Sequence, residues 1–359
     1  MRSVLLPFAV AVPLVALAAT APARRGTVTI CAGGDVMLGS NIPDRGGAPP
    51  ERPGPSAAEL ELLVAPLRPL LAHANVVLLN VEGAIGSGPA PRKCALRSTN
   101  CWAFRQPVAA ARALRSVAPH AAVVGNVANN HAMDAGEEGF RLTAQHLAEA
   151  GVFVTGNDTL PTIVPVRDGD TIAVLGFSTF QAGPDARDLA AVRRHVARAA
   201  ARHRRVVVTV HNGAEGFGAQ RTADRQELYL GEDRGNPVAF ARTAVEAGAL
   251  LVVGHGPHVL RAAEWRGDAL VFYSLGNLLT NGPFSVREPN GRGAIACAEL
   301  PDSGPVVSGR VWSTRQVRAG QLVADHEARA ARLMDSLGRL DFPTSGARVG
   351  MDGAMARGR

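Results

Sequence analysis

The sequence predicts a layered α/β protein. Short apolar runs rich in Val, Ile and Leu recur along the chain, and helical patterns separate them. Strands that are apolar throughout are buried on both faces, as they are in the sheets of α/β proteins. The chain has 359 residues and is 47% hydrophobic, which is enough for one large core.

Seven apolar runs are predicted strands, and five stretches between them are predicted helices. The strands cover residues 27–32, 76–81, 122–127, 171–177, 206–210, 250–253 and 270–274. The helices cover residues 56–72, 107–117, 136–150, 186–204 and 237–247. Two later runs, 294–300 and 306–317, have no helix between them. We therefore expect them to pair antiparallel, which makes the sheet system mixed.

The first 23 residues have the pattern of a secretion signal. Arg2 precedes an apolar stretch, and the small residues Ala21-Pro22-Ala23 form a cleavage site. We expect a secreted or cell-envelope protein, with an uncleaved membrane anchor as the alternative. No repeat or composition break divides residues 27–320, so we predict one domain there, followed by a C-terminal helix and tail over residues 321–359.

Composition argues against a nucleic-acid partner. The net charge is +7, but Lys93 is the only lysine, and such an arginine bias is typical of a GC-rich genome. Aromatic residues make up only 4% of the chain, so the stacking platforms of single-strand binders are largely missing.

The four cysteines divide into two pairs with different surroundings. Cys94 and Cys101 lie close together in a Pro/Gly-rich stretch, and export permits disulfides, so we predict a bond between them. Cys31 and Cys297 lie inside apolar strand-like runs, and we expect them to be small buried hydrophobic residues without a bridge.

Six of the predicted strands run directly into polar residues. In layered α/β proteins, the carboxyl ends of strands open onto the crevice where ligands bind. We therefore expect these side chains to form one metal-type site. In chain order they are Asp35, Glu82, Asn130, His131, His211, His255, His258 and Asn277.

Carboxylates, an amide oxygen and imidazoles together form a mixed ligand set. Such a set suits Mn, Fe or Zn better than Ca. One or two divalent ions could bind phosphate oxygens and lower the pKa of a water that attacks phosphorus. His131 and Asp35 are the candidate catalytic residues, with His131 as acid or transition-state stabiliser. The predicted metal ligands are Asp35, Glu82, Asn130, His211, His255 and His258.

Four further positions have structural or substrate-binding interpretations. We interpret Asn129 as a turn residue. Asp134 precedes Glu137 by three at the start of a predicted helix, which indicates the N-cap of a capping box. Asn277 either ends its strand as a turn residue or joins the site, where we expect it and Arg261 to bind substrate.

The polar residues stand in six longer motifs. These are Gly34-Asp35-Val36-Met37-Leu38-Gly39, Asn80-Val81-Glu82-Gly83, Ala128-Asn129-Asn130-His131, His211-Asn212-Gly213-Ala214-Glu215-Gly216, Gly254-His255-Gly256-Pro257-His258-Val259-Leu260-Arg261 and Tyr273-Ser274-Leu275-Gly276-Asn277. They closely resemble the CapA family of bacterial capsule-synthesis proteins, which is linked to poly-γ-glutamate production, and the resemblance extends from about residue 27 to residue 279. It implies a calcineurin-like metallophosphatase fold, a four-layer α/β/β/α sandwich with two mixed sheets and ligands on strand-end loops.

Two positions depart from the wider metallophosphoesterase pattern. Met37 stands where those enzymes carry a histidine, and Glu82 stands where they carry an aspartate; the CapA family shares both changes. Many relatives read Ser-His-Pro-His where this chain reads His255-Gly256-Pro257-His258, which leaves open which of the two imidazoles binds metal.

These observations support three hypotheses about function. The first is an exported, metal-dependent phosphoesterase-type hydrolase of capsule or poly-γ-glutamate synthesis. The second is a non-catalytic protein that binds or assembles an envelope polymer with a degenerate metal site. The third is a metal-dependent hydrolase of an amide or peptide bond in such a polymer. The expected partners are an anionic envelope polymer or a phosphorylated small molecule, together with membrane-associated capsule synthesis proteins.

Overall fold

Two mixed β-sheets form the framework of the protein. The structure is a computed structural model, and it describes residues 26–43, 53–91, 93–94, 101–166 and 169–358. The predicted secretion signal over residues 1–23 lies outside the described residues. Among the helices described, none combines the length and the apolar character needed to cross a membrane. These helices are α1 (Ala57–Val64), α2 (Leu67–Leu70), α3 (Ala109–Ser116), α4 (Gly136–Glu149), α5 (Leu189–Ala200), α6 (Pro237–Glu246) and α7 (Arg329–Asp341).

The larger sheet has ten strands in the described part of the chain. They are β1 (Val28–Met37), β2 (Val76–Val81), β5 (Ala122–Asn126), β6 (Phe153–Thr155), β15 (Asn277–Thr280), β16 (Arg292–Leu300), β17 (Ser308–Arg318), β18 (Gln321–Ala324), β19 (Arg348–Val349) and β20 (Ala354–Ala356). The main order is β19-β20-β17-β16-β1-β2-β5-β6. Strands β1, β2, β5 and β6 are parallel. Strands β16 and β17 pair antiparallel, which confirms the prediction for the two late runs.

The smaller sheet has six described strands in the order β13-β14-β12-β9-β8-β7. Its four central strands are parallel, and the strand at each edge is antiparallel to its neighbour. The strands are β7 (Thr162–Pro165), β8 (Thr171–Ser178), β9 (Val206–His211), β12 (Leu251–His255), β13 (Ala263–Arg266) and β14 (Ala269–Phe272). Two separate pairs are β3 (Ala84–Ile85) with β4 (Arg105–Gln106), and β10 (Leu228–Tyr229) with β11 (Glu232–Asp233).

The two sheets pack face to face. Ile30 and Leu78 of the larger sheet join Val174 and Val253 of the smaller sheet in one buried cluster. Successive side chains of a strand point to opposite faces, so the neighbouring residues of each strand are left to pack against helices.

Helices cover the outer face of each sheet. Leu79 of β2 packs with Leu60 of α1 and with α3. On the other side of the molecule, Val208 of β9 packs with Val196 of α5 and Phe240 of α6. The layers therefore follow the order α/β/β/α, which confirms the expected four-layer sandwich with two mixed sheets.

The chain after residue 320 continues this architecture. Strands β18 and β20 both pair with β17, so the region predicted as a helix and tail adds strands to the larger sheet. Helix α7 places Met334 in the cluster between the sheets and Leu337 in the cluster of the smaller sheet. The C-terminal segment is thus part of the packed core.

Two disulfides connect the four cysteines. The predicted bond between Cys94 and Cys101 is present. Cys31 and Cys297 are also bonded, so the expectation that they are separate buried thiols is wrong. These two residues lie opposite each other on the antiparallel strands β1 and β16, with their Cα atoms 4.0 Å apart. Strand register brings them together, and a sequence separation of 266 residues gives no sign of it.

The lengths of the two closed loops predict unequal contributions to stability. The residues of the Cys31–Cys297 bond are 266 apart, and those of the Cys94–Cys101 bond are 7 apart. Loop-closure entropy alone makes the long link worth about 3 kcal/mol more than the short one. We expect urea unfolding of the double variant Cys31→Ala/Cys297→Ala to show a correspondingly larger loss than unfolding of Cys94→Ala/Cys101→Ala. Equal losses would contradict this account.

Candidate metal centre

Strand β1 carries the first acidic residue of the site into the core. The strand continues past its predicted end at residue 32 and reaches Met37, so Asp35 lies within it. A Cβ atom at Gly34 would overlap the carbonyl oxygen of Gly276. The N–H of Asp35 donates to that same oxygen at 3.0 Å. Glycine therefore permits the close backbone approach that fixes Asp35.

Strand β2 brings the second carboxylate to the same edge of the sheet. Glu82 directly follows β2, and both Asp35 and Glu82 are 0% exposed. The side chain of Asn80 donates to Asp35 Oδ1 at 2.8 Å and lies 3.1 Å from His211 Nδ1. Asn80 therefore links a carboxylate of the larger sheet to an imidazole of the smaller sheet.

The smaller sheet supplies two buried imidazoles. His211 and His255 are the last residues of the adjacent parallel strands β9 and β12, where they lie opposite each other. His255 Nδ1 is 3.8 Å from Asp35 Oδ1. The ends of both sheets thus meet at one point, as the strand-end pattern predicts.

His258 lies at the centre of the cluster. Its backbone has a φ of 56°, a left-handed conformation that non-glycine residues rarely adopt. His258 Nδ1 lies 3.0 Å from Asp35 Oδ2 and 3.0 Å from Asn277 Oδ1, and Nε2 lies 3.5 Å from Glu82 Oε1. One ligand-type atom from each of Asp35, Glu82 and His258 lies within 4.8 Å of the others.

The cluster changes the pKa values of its acidic members in opposite directions. Burial raises the pKa of Asp35, but the hydrogen bond and charge of His258 outweigh it and hold that pKa below its usual range. Burial raises the pKa of Glu82 well above its ordinary value, and the charge of His258 only partly opposes this. Burial also lowers the pKa of His258, but the carboxylates of Glu82 and Asp35 raise it overall, well above its ordinary value.

The two strand-end imidazoles, His211 and His255, have lowered pKa values, in contrast to the raised pKa of His258. Burial lowers the pKa of His211 well below its ordinary value and that of His255 to about 4, although the charge of Asp35 opposes both changes. Both rings are therefore neutral near pH 7, which is the form that binds metal ions.

Several buried polar atoms of the cluster make no hydrogen bond to the residues that the structure describes. They are both carboxylate oxygens of Glu82, Nε2 of His211 and both ring nitrogens of His255. Oδ1 of Asn130, in the loop after β5, likewise has no partner among the described residues. Buried polar atoms are normally paired, so such a concentration of them needs an explanation. Carboxylate, imidazole and amide atoms are the ligands of a divalent transition-metal ion. The residues present therefore fit a metal ion.

The loop after β5 brings His131 to the same edge. The N–H of His131 donates to the side-chain oxygen of Asn129 at 3.1 Å, which fits the predicted turn role of Asn129. His131 Nδ1 lies 2.7 Å from Asp134 Oδ2. Burial lowers the pKa of His131, and Asp134 partly opposes this. Because Asp134 occupies Nδ1, Nε2 is the ring nitrogen left for a ligand.

Asp134 is not the helix cap that the sequence suggested. Helix α4 begins at Gly136, and no side chain that the structure describes caps it with a hydrogen bond. Asp134 is fully buried, accepts the N–H of Phe104 at 2.6 Å and pairs with both His131 and Lys93. The informative spacing is that of His131 and Asp134, three residues apart, because it allows the carboxylate to orient the imidazole.

A cavity of about 960 Å³ opens onto this cluster. Asn130, His131, His258 and Asn277 are among the residues that line it. The side-chain amide of Asn277 also donates to Asn290 O at 3.2 Å, so Asn277 positions His258 and faces the cavity as well.

Arg261 does not line the cavity, contrary to the expectation that it binds substrate. It is 1% exposed, and its guanidinium donates to both carboxylate oxygens of Glu227, at 2.8 and 2.7 Å. Glu227 also accepts the N–H of Ala214 at 2.7 Å. The pair of Arg261 and Glu227 therefore holds the loop that follows His211, and Arg261 has a structural role.

Glu215, on that same loop, is a site residue that the sequence analysis missed. Its Oε2 lies 3.9 Å from His258 Nε2, and its Oε1 accepts a 2.5 Å hydrogen bond from Arg234. An acidic residue four positions after a candidate ligand, His211, was the available signal. Asn80 gave a similar signal, because an amide inside an apolar strand needs a buried partner.

The family model described as bacterial capsule synthesis protein PGA_cap matches residues 29–282. The PGA biosynthesis protein CapA of Bacillus subtilis (strain 168) is 31% identical over 170 residues, which cover 43% of this chain and 41% of that protein. The capsule biosynthesis protein CapA of Bacillus anthracis is 29% identical over 178 residues, which cover 43% and 39%. The matched regions span less than half the length of these relatives.

Two other matches are to an uncharacterized protein and to a solved structure of low sequence identity. An uncharacterized protein, y4sH, of Sinorhizobium fredii (strain NBRC 101917 / NGR234) is 34% identical over 128 residues, 33% of this chain and 25% of that protein. A solved Staphylococcus aureus protein, described as a candidate 5'-nucleotidase in complex with alpha-ketoglutarate, has 12% identity and a TM-score of 0.43. That match covers 79% of this chain and 54% of the solved chain.

The opposite pKa changes of His258 and His255 predict separate titrations in protein treated with a chelator. We expect the His258 ring to remain charged above pH 6.5, because Glu82 and Asp35 stabilise its cation, and the His255 ring to titrate at about 4. Histidine Cε1 resonances in ¹H–¹³C NMR spectra, followed over pH, measure the pKa values of both rings. The variants His258→Gln and His255→Gln assign the two resonances. Titration of the two rings together near pH 6.5 would contradict the described contacts.

Proposed function

Since the chain belongs to the bacterial capsule synthesis protein PGA_cap family, we propose that it is an exported, metal-dependent hydrolase of the phosphoesterase type. It acts in the cell envelope, on an anionic polymer or a phosphorylated small molecule, alongside membrane-associated capsule synthesis proteins. The signal-like pattern in residues 1–23 supports export. The two disulfides also favour an oxidising compartment outside the cytoplasm.

The observation that carries this proposal is the convergence of ligand-type side chains from both sheets at one cavity. Asp35 and Glu82 come from the larger sheet, and His211, His255 and His258 come from strand ends and a loop of the smaller one. Structural needs alone would not leave so many buried polar atoms without a hydrogen-bond partner in the described part of the chain.

Each residue has a defined task in the proposed site. Asp35, Glu82 and His258, with Asn130, His211 and His255 around them, would hold one or two Mn, Fe or Zn ions. A bound divalent ion polarises phosphoryl oxygens and makes water more acidic. Binding requires His258 to release its proton, so the affinity for metal increases with pH.

His131 is the residue that would move a proton in the reaction. Asp134 fixes its ring and leaves Nε2 facing the cavity. In its protonated form the ring could donate the Nε2 proton to the leaving oxygen or stabilise charge on the phosphoryl group, and the lowered pKa makes this form decline as the pH rises. Lys93, which bonds to the carbonyl oxygen of Asn130 at 3.0 Å and to Asp134, holds the same loop in place.

A second candidate function is non-catalytic binding of an envelope polymer. Met37 favours this alternative, because its sulfur accepts the N–H of Gly39 at 3.1 Å and the residue offers no histidine nitrogen to the cluster. A site that binds a metal ion without turnover would fit that role.

The first prediction from the proposal separates metal binding from chemistry. The purified mature protein should contain metal and hydrolyse p-nitrophenyl phosphate or its diester in the presence of Mn. Asp35→Ala should lose both properties, because Asp35 is a ligand, whereas His131→Ala should keep the metal and lose about 10²- to 10⁴-fold in kcat. Elemental analysis and steady-state kinetics measure these effects. A wild-type protein with neither metal nor turnover would contradict the proposal.

The second prediction concerns the orientation of His131. Asp134→Asn should lower kcat by about 10- to 100-fold with little change in KM, because the imidazole loses the partner that fixes its ring. Asp224→Asn is a matched control, since Asp224 pairs with Arg242 at the surface. Equal kinetics for the two variants would show that Asp134 does not act through His131.

A further inference from the structure

The cavity is rich in aromatic side chains for a chain that has few. The sequence contains three Trp, two Tyr and eleven Phe. Among the aromatic residues that the structure describes, five line the cavity, namely Trp102, Phe104, Phe180, Tyr229 and Phe284. A bare phosphate is recognised by cations and N–H groups, whereas aromatic rings bury the apolar faces of larger ligands. The lining therefore indicates a ligand with more than a phosphoryl group.

Three of the five rings support imidazoles of the candidate metal centre. The ring centre of Phe104 lies 4.4 Å from that of His131, and the ring centre of Phe284 lies 5.6 Å from that of His258. Phe180 packs against His211 at 5.7 Å. Tyr229 instead packs on Arg234, so it belongs to a different part of the lining.

Arg234 forms the centre of this second part, which we call the Arg234 wall and define as Phe180, Glu215, Tyr229, Leu230, Glu232 and Arg234. The guanidinium carbon lies 4.6 Å from the ring centre of Phe180 and 5.1 Å from that of Tyr229. The same guanidinium donates to Glu215 at 2.5 Å and to Glu232 at 2.9 Å.

These contacts make Arg234 a poor anion-binding residue. Two carboxylates neutralise its charge, and two rings cover its faces. A phosphoryl group would therefore bind at the candidate metal centre, and the Arg234 wall faces the remainder of the substrate.

The Arg234 wall combines ring faces with hydrogen-bond acceptors. Glu215 and Glu232 each bond to Arg234 through one carboxylate oxygen, Oε1 and Oε2 respectively. The second oxygen of Glu215 lies 3.9 Å from His258 Nε2, which is beyond hydrogen-bond distance, so it can still accept a bond from a ligand, as can Oε1 of Glu232. Ionised carboxylates only accept hydrogen bonds, so they select a ligand that donates them. A ring with apolar C–H faces and hydroxyl groups at its edge has both complementary features.

From this combination we propose that the substrate is a phosphoester of a polyhydroxylated ring of the hexose type, and that the Arg234 wall binds the ring. The inference rests on the proposed hydrolase function and deepens it by naming the class of substrate. The phosphoryl group lies at the metal centre, and the hydroxyl groups donate to Glu215 and Glu232. Tyr229 and Leu230 cover the apolar face of the ring.

The backbone conformation and exposure of Leu230 support a binding role for the Arg234 wall independently. It lies between β10 and β11 with a φ of 51°, is followed by Gly231 with a φ of 82°, and is 65% exposed. Such a turn favours Asn-Gly, and a leucine in this conformation is strained. A strained and exposed apolar residue at the edge of a cavity is consistent with a role in binding rather than in folding.

The test compares three primary alkyl phosphates, which are glucose 6-phosphate, cyclohexylmethyl phosphate and ethyl phosphate. We expect kcat/KM with Mn to be at least tenfold higher for glucose 6-phosphate than for the other two.

The Tyr229→Ala variant should lose this preference, so that its kcat/KM values for the three compounds are about equal. Leu230→Asn should reduce it several-fold without lowering the melting temperature, because it creates the favoured Asn-Gly turn. Leu160→Asn is the matched control, as Leu160 is 62% exposed and does not line the cavity, and it should leave the preference unchanged.

Calorimetric binding of the same three compounds to the Mn-loaded protein separates this inference from the proposed function. If no ester is hydrolysed, the proposed function fails, and the inference then depends on binding alone. If glucose 6-phosphate binds at least tenfold more tightly than the other two compounds, and Tyr229→Ala abolishes this difference, the assignment of the substrate class is supported. Equal binding or equal turnover of the three compounds overturns it, and so does a preference for cyclohexylmethyl phosphate.

Discussion

Two carboxylates that lie fully buried next to each other impose the main constraint on this structure. Removing Asp35 and Glu82 from water is costly unless a positive charge and hydrogen bonds compensate. His258 supplies that charge, and its left-handed backbone places the ring against both carboxylates. Asn80 adds a hydrogen bond to Asp35 and reaches His211 across the gap between the sheets. The sandwich therefore serves to hold a compact group of charged atoms, and a divalent ion would satisfy that group more completely than His258 does.

A second layer of contacts keeps this group rigid. Asp134 orients His131, and the Arg261–Glu227 pair fixes the loop that carries Glu215. Phenylalanine rings pack against three of the imidazoles and limit their rotation. Ligand side chains that are fixed by such outer contacts bind metal ions more tightly and with a defined geometry. The same contacts shape the cavity, so the position of the metal centre and the shape of the substrate site depend on common residues.

The sequence was sufficient to predict the features that depend on local pattern. Apolar runs predict the central strands, and the polar residues that follow these runs predict that Asp35, Glu82, His211 and His255 lie together. Features that depend on register or on long-range contact were missed. The Cys31–Cys297 bond follows from the pairing of β1 and β16, and strands of two to four residues are too short to show a period. The sequence does not distinguish a helix cap from an imidazole partner at Asp134, because both roles use a partner three residues away. Arg261 lay in the right motif, yet its partner Glu227 is 34 residues away.

The most direct measurement of the central claim is anomalous X-ray diffraction from crystals of the mature protein grown with Mn. The account predicts an anomalous peak between Asp35, Glu82 and His258, with or without a second peak on the side of His211 and His255. The peak should disappear in Asp35→Ala crystals grown in the same way. A fully occupied ion elsewhere on the molecule, with the His258 ring still in contact with Asp35 and Glu82, would contradict the account.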